Sequence, residues 1–135
     1  MAIRYIVTKK KITVGDNPGE RYLAKFVKDG VISNKELSEM IAHNTTVERG
    51  EVEQVLTELS RVMGFFMKQG DQVKTDLGVF RPTIKAKAMD TVEKADAKSV
   101  ESIKVHFLPS TELEEKMKAT PVKKVVVDRK GVVGE

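Results

Sequence analysis

The chain has 135 residues, 33% of them charged and 40% hydrophobic, with a formal net charge of +4 and no cysteine. That length fits one domain, or one domain with appended strands, and should bury roughly two-thirds of the unfolded surface without disulfide or metal. The missing cysteines exclude a disulfide framework, a zinc ribbon and a thiol nucleophile, and no apolar run approaches the roughly 18 residues of a membrane span.

Residues 1–28 hold seven Lys or Arg against two acids and read as strands. Ile3, Tyr5 and Val7 alternate with Arg4, Ile6 and Thr8, and Ile12-Thr13-Val14 continues the β-rich character. Tyr22 to Val27 follows the dense turn signal Gly15-Asp16-Asn17-Pro18-Gly19. Residues 29–72 reverse the balance, four basic against eight acidic, and read as a helical hairpin. Ser33-Asn34-Lys35-Glu36 has the form of a capping box, in which Ser33 accepts from the Glu36 amide and Glu36 answers back. Leu37, Met40 and Ile41 share a face of the helix it opens, and His43-Asn44 ends that helix.

A second box, Thr45-Thr46-Val47-Glu48, predicts the start of a longer helix with Val52, Val55, Leu56, Leu59, Val62, Met63 and Phe66 at spacings of three and four. Gly50 and Gly64 inside it each cost nearly 1 kcal/mol relative to alanine. Gly64 is either a point of close approach to a neighbouring helix or a cost that strong packing tolerates.

Residues 72–76 and 79–87 read as strands joined at Leu77-Gly78. From Ala88 to Ser102 large apolar side chains nearly vanish, which suits either a disordered loop or the outer part of an exposed ribbon. Residues 103–108 return as a strand, Pro109-Ser110-Thr111 opens a short helix through Leu113 and Met117, and Thr120-Pro121 stops it. Residues 116–135 are again basic, six against two. Val122 to Val127 is a last β-rich run, expected to pair with residues 3–8, and Gly131 to Glu135 reads as a frayed end.

No catalytic constellation is legible. His43 and His106 fall on different elements, neither has a carboxylate at metal-ligand spacing, and no phosphate-cradling or nucleophile-elbow motif occurs. An enzyme, a metal, a cofactor and a small-molecule substrate are therefore not expected. His106 reads as a surface residue, with phosphate contact as the sharper alternative. Phe65, Phe66, Phe80, Tyr5, Tyr22, Phe26 and Phe107 are assigned to the core in preference to a base-stacking platform.

The functional content lies in the basic ribbon. Arg81, Lys85 and Lys87 precede its tip, Lys94 and Lys98 are near it, and Lys104 is on the return. Residues 81, 85 and 87 share parity, so on a regular strand they project from one face. A row of cations gives affinity for phosphates without sequence readout. Asp90, Glu93, Asp96 and Glu101 offset part of that field, so a merely solvated hairpin is the competing reading.

The order helix hairpin, tight turn, long ribbon, short helix resembles the bacterial histone-like HU and integration host factor family over Ser33 to Met117. The family's Gly-Phe-Gly-Thr-Phe turn corresponds to Asp76-Leu77-Gly78-Val79-Phe80, keeping Gly78 and Phe80. Phe107 matches its aromatic on the returning strand, Leu113 the leucine of its final helix, and Gly70-Asp71 the glycine-acid pair after its second helix. Family arms end in an Arg-Asn-Pro-x-Thr-Gly tip whose proline wedges between base pairs. Here no proline lies between Pro82 and Pro109, and the strand after Gly70 is one residue short. The terminal segments are similar to those of longer HU-like variants of gut-type anaerobic bacteria, which add strands around the same core.

The resemblance implies an α+β, HU-like fold: a helical hairpin and a three-stranded antiparallel sheet with a protruding β-arm, extra terminal strands, and an intertwined dimer. Residues 1–32 form an N-terminal β extension. Residues 33–118 form the DNA-binding domain with its arm at about 85–104, and 119–135 a C-terminal strand and tail. The implied function is largely non-specific binding of double-stranded DNA in the cytoplasmic nucleoid by a homodimer, with no membrane partner. Arg81, Lys85, Lys87, Lys94, Lys98 and Lys104 contact DNA, and Val55, Leu59, Val62, Phe66, Phe80 and Phe107 form the dimer core. The alternative is an HU-fold structural or protein-interaction module that has lost DNA binding.

Overall fold

A computed structural model of the chain describes residues 1–15, 18–128 and 131–134. Asp16 and Asn17 of the expected turn, and Glu135 of the expected frayed end, lie outside the described residues. The chain is mixed α+β and divides into two compact units, residues 32–115 and a second one built from both ends, 1–31 and 116–135.

In the first unit, helices α1 (Asn34–Asn44) and α2 (Arg49–Lys68) form the hairpin. Ser33 caps α1, its Oγ accepting from the Glu36 amide at 3.3 Å, which is the Ser33 half of the first capping box. The second box does not form. The Thr45 hydroxyl donates to the Ile41 carbonyl at 2.8 Å and accepts from the Val47 amide at 3.3 Å. Thr45 thus closes α1 instead of opening α2, whose N-cap is Glu48 without a side-chain bond. On α2, Glu58 and Arg61 face each other one turn apart at 2.5 Å. The hydrogen bond from Arg61 holds the Glu58 carboxyl below the usual range.

Three strands follow: β3 (Val73–Thr75), β4 (Gly78–Ala86) and β5 (Val100–Pro109), an antiparallel meander in that order. The β3–β4 turn depends on Gly78. Its φ is +147°, and a Cβ there would stand 2.9 Å from the Pro109 Cα and collide outright with the Leu108 carbonyl oxygen. Only glycine lets β5 approach so closely. The Ser110 amide then donates to the Leu77 carbonyl at 2.8 Å, and the Ser110 hydroxyl caps α3 (Thr111–Lys118) through the Leu113 amide at 3.2 Å.

Between the strands, residues 87–99 are neither a disordered loop nor a continuation of the ribbon. Pairing stops at Ala86↔Val100, and the segment folds back on itself. Lys87 donates its amide to the Ser99 carbonyl at 2.9 Å, Asp96 caps a 3-10 turn at Ala97–Ser99, and Ser99 is buried. Small and polar residues suffice for this closure because local hydrogen bonds hold it.

In the second unit, β1 (Ile3–Ile12) and β2 (Gly19–Phe26) form a hairpin from Tyr5↔Phe26 to Ile12↔Gly19. β6 (Val122–Lys124) joins the other edge of β1 in parallel, Ile3 opposite Val122, giving the order β2-β1-β6. The two terminal runs therefore do pair. The last run is not one strand: Val125, 4% exposed, donates its amide to the Tyr5 carbonyl, and β7 (Val126–Asp128) starts afterwards. Residues 131–134 are not frayed but form β8, paired antiparallel with β7.

The burial expected from length is not reached. The chain exposes 11,675 Å² against about 21,900 Å² for an unfolded chain of this mass, so roughly half is buried where even a 60-residue domain buries about 60%. Val52 and Val125 are the buried hydrophobic residues among those described. The aromatic residues assigned to the core are only partly there, and Phe65 on α2 is 55% exposed. Tyr22 is 70% and Phe26 65% exposed, because both lie on one uncovered face of β2.

Candidate nucleic-acid interface

The β4–β5 register sorts the ribbon into two faces. Opposed residues of an antiparallel pair point the same way and alternate along each strand. Phe80↔Phe107, Pro82↔Val105 and Ile84↔Ile103 make one face wholly apolar. Beyond the Val79↔Leu108 pair at its root, Arg81↔His106, Thr83↔Lys104 and Lys85↔Ser102 make the other polar and basic. On the short strand, Lys74 opposes Val79 and so shares the basic face. Four cationic side chains and one histidine, from three strands, thus stand on a single surface.

That surface has few internal partners. Lys85 approaches Glu101 at 3.8 Å, a loose exposed pair worth little in water. Thr83 donates to the Lys104 carbonyl at 3.4 Å. The Arg81 Nε is buried and has no hydrogen-bond partner among the described residues. A buried cationic donor without an acceptor is costly, so Arg81 is the residue of this face with most to gain from an added anion.

The sequence-derived cations do not all meet. Arg81, Lys85 and Lys104 come together on the basic face. Lys87 lies just past the end of β4, beyond a register shift between Lys85 and Ala86 that leaves Glu101 as an extra residue on β5. Lys87, Lys94 and Lys98 belong to the folded tip, whose sequence also carries Asp90, Glu93 and Asp96. Lys74 is missing from the sequence-derived set. Its signal lies in the turn, since a two-residue connection at Asp76-Leu77 sets Lys74 opposite Val79 and hence on the face of Arg81.

The six apolar residues read as a dimer core are largely open to solvent in the single chain. Val55 is 65%, Phe66 44%, Leu59 41% and Phe107 39% exposed, while Val62 and Phe80 are half-buried. An apolar groove of about 570 Å³ runs beneath the ribbon, lined by Gly64, Met67, Pro82, Ile84, Ile103 and Val105. Among the described residues no group of three or more His, Asp or Glu could hold a metal ion, and no helix is long and apolar enough to cross a membrane.

Residues 1–124 match the model of the family HU-HIG, described as "HU domain fused to wHTH, Ig, or Glycine-rich motif". The chain belongs to the HU-HIG family. No curated protein matches it. Among solved structures, the HU-HIG chain is similar to one from Bacteroides vulgatus ATCC 8482, described as a "Putative bacterial DNA binding protein". The TM-score is 0.63 at 19% identity, over 90% of this chain and 48% of that one. The likeness is one of fold, and the HU-HIG chain spans about half the length of that neighbour. The match runs from residue 1 to 124, so β1, β2 and β6, which lie outside the shorter HU pattern, fall within the HU-HIG match.

Proposed function

We propose that this HU-HIG chain binds double-stranded DNA, largely without sequence preference, as one subunit of a homodimer that organises nucleoid DNA in the bacterial cytoplasm. The observation that carries the reading is the two-faced ribbon, basic on one side through Lys74, Arg81, Lys85 and Lys104 and apolar on the other. Membership of an HU-domain family supports it, as does the description of the B. vulgatus neighbour as a DNA-binding protein.

Chemically, lysine and arginine on a sheet neutralise phosphates and release condensed counterions, a term that is blind to base sequence. No proline occurs between Pro82 and Pro109, so the wedge that kinks DNA in HU-like arms has no counterpart at this tip. Binding here is therefore phosphate contact with little intercalation. The apolar side of the ribbon and the outer stripe of α2 need a cover, and a second copy of the chain supplies one of matching chemistry.

Titration of a random-sequence duplex at several salt concentrations tests the reading. About four to six phosphate contacts per dimer give a log–log salt slope of roughly −4 to −5. No binding at low salt would leave the interaction-module reading, which the near-balanced charge of the tip favours.

A further inference from the structure

The sheet of the terminal unit also has two unlike faces. On one, Tyr5↔Phe26, Val7↔Ala24 and Lys9↔Tyr22 place the aromatic residues, and Glu20 forms an ion pair with Lys9 at 2.8 Å. On the other stand Arg4, Ile6, Thr8, Lys10 and Ile12 of β1, with Gly19, Arg21, Leu23 and Lys25 of β2 and Lys123 of β6 opposite them. Five of these positions are cationic and none is acidic. Lys10 and Arg21 are direct register partners, and the Arg21 guanidinium donates to the Glu20 carbonyl at 3.0 Å. Arg4 is answered by Asp29 at 2.6 Å, whereas Lys10 and Lys25 are exposed and have no ion-pair partner among the described residues.

We propose that this face, centred on Lys10, Arg21 and Lys25, is a second contact surface for the phosphate backbone of duplex DNA, distinct from the β4–β5 ribbon. From Arg4 to Lys10 the face spans about 20 Å at the rise of a β-strand, a length over which one DNA strand presents about six phosphates. A sheet presents its cations at fixed spacing, so they meet a regular polyanion without further ordering. A lipid surface fits less well. Interfacial binding wants cations and inserted aromatics on the same side, and here Tyr22 and Phe26 occupy the opposite face. With a basic surface on each of its two units, one chain contacts DNA at two places.

The test uses the full chain and fluorescence anisotropy with a labelled random duplex. It compares the parent with Lys10→Ala/Lys25→Ala and with Lys10→Arg/Lys25→Arg, each also carried in an Arg81→Ala/Lys85→Ala/Lys104→Ala background. The alanine pair should bind more weakly, with a salt slope shallower by about 0.9 for each phosphate no longer neutralised, and the arginine pair should restore both. The thermal midpoint of the alanine pair should stay level, since both lysines are exposed and such positions tolerate substitution. An alanine pair that binds like the parent in both backgrounds overturns the proposal. So does a loss confined to phosphatidylserine vesicles with duplex binding intact. A ribbon variant that binds like the parent, while the terminal-sheet alanine pair does not, keeps this proposal and removes the ribbon as the DNA site.

Discussion

Phe80 and Phe107 are register partners on β4 and β5, and their rings stack with centroids 4.7 Å apart and planes inclined by 27°. The pair sits at the root of the ribbon, next to the strand-to-strand approach that Gly78 permits. It is where the apolar face gains its most specific side-chain contact.

Each single change, Phe80→Ala or Phe107→Ala, should destabilise the fold by about 2–3 kcal/mol, somewhat under the range for fully buried phenylalanine because both rings are part-exposed. A double-mutant cycle by urea denaturation should return a coupling of about 0.5–1.5 kcal/mol for the stacked pair. Simple additivity would mean that the stacking contributes nothing beyond area.

Gly78→Ala should be far more damaging than its size suggests. It combines a φ of +147° with a Cβ driven into the backbone of Leu108 and Pro109, so a loss above about 3 kcal/mol is expected from strain and displaced β5 together. Gly50→Ala is the control. Nothing lies within 4 Å of a Cβ there, and the helix should gain up to about 1 kcal/mol. Thermal unfolding of the two variants checks the contrast.

Val55→Asp separates a lone chain from an assembled one. Val55 is 65% exposed, so in a monomer the change should stay within about 0.5 kcal/mol. In the proposed homodimer it buries a charge at the interface, and sedimentation velocity at micromolar concentration should show the slower monomer. A variant that sediments and melts like the parent would rule out α2 as the dimer contact.

Within the ribbon, the face and the tip can be told apart. Replacing Arg81, Lys85 and Lys104 by alanine should flatten the salt slope by about 0.9 for each phosphate released, equally on AT-rich and GC-rich duplexes. Replacing Lys87, Lys94 and Lys98 should do much less, because the carboxylates of the tip already offset their field. The reverse ranking, read by anisotropy, would move the DNA-binding surface to the tip.

What is legible in the sequence follows local chemistry. Ser33 and Glu36 mark a helix start because no earlier element competes for the Ser33 hydroxyl. Thr45 and Glu48 have the same spacing, yet the end of α1 claims the Thr45 side chain first. Strand parity puts Arg81 and Lys85 on one face, and Lys87 lies beyond the strand end, where one extra residue on β5 shifts the register. Which β5 residues oppose them is a matter of register, set across a folded tip that composition alone describes only as polar. The uncovered aromatics of β2 are not legible, because alternation reports a face and not what lies against it.

The parallel pairing of β1 with β6 bears on how the molecule assembles. Ile3 and Val122 meet although they lie about 120 residues apart along the chain, while residues 32–115 form a continuous unit. The entropic cost of closing a loop grows only slowly with its length, but a pairing so distant in sequence forms slowly. During synthesis the inner unit can fold while β1 has only its hairpin partner β2, and the other edge of β1 stays open until β6 emerges. Through that interval the edge accepts any strand of the right pattern, including β6 of another chain. Crowded synthesis thereby gives this topology a route to exchanged, interlinked subunits.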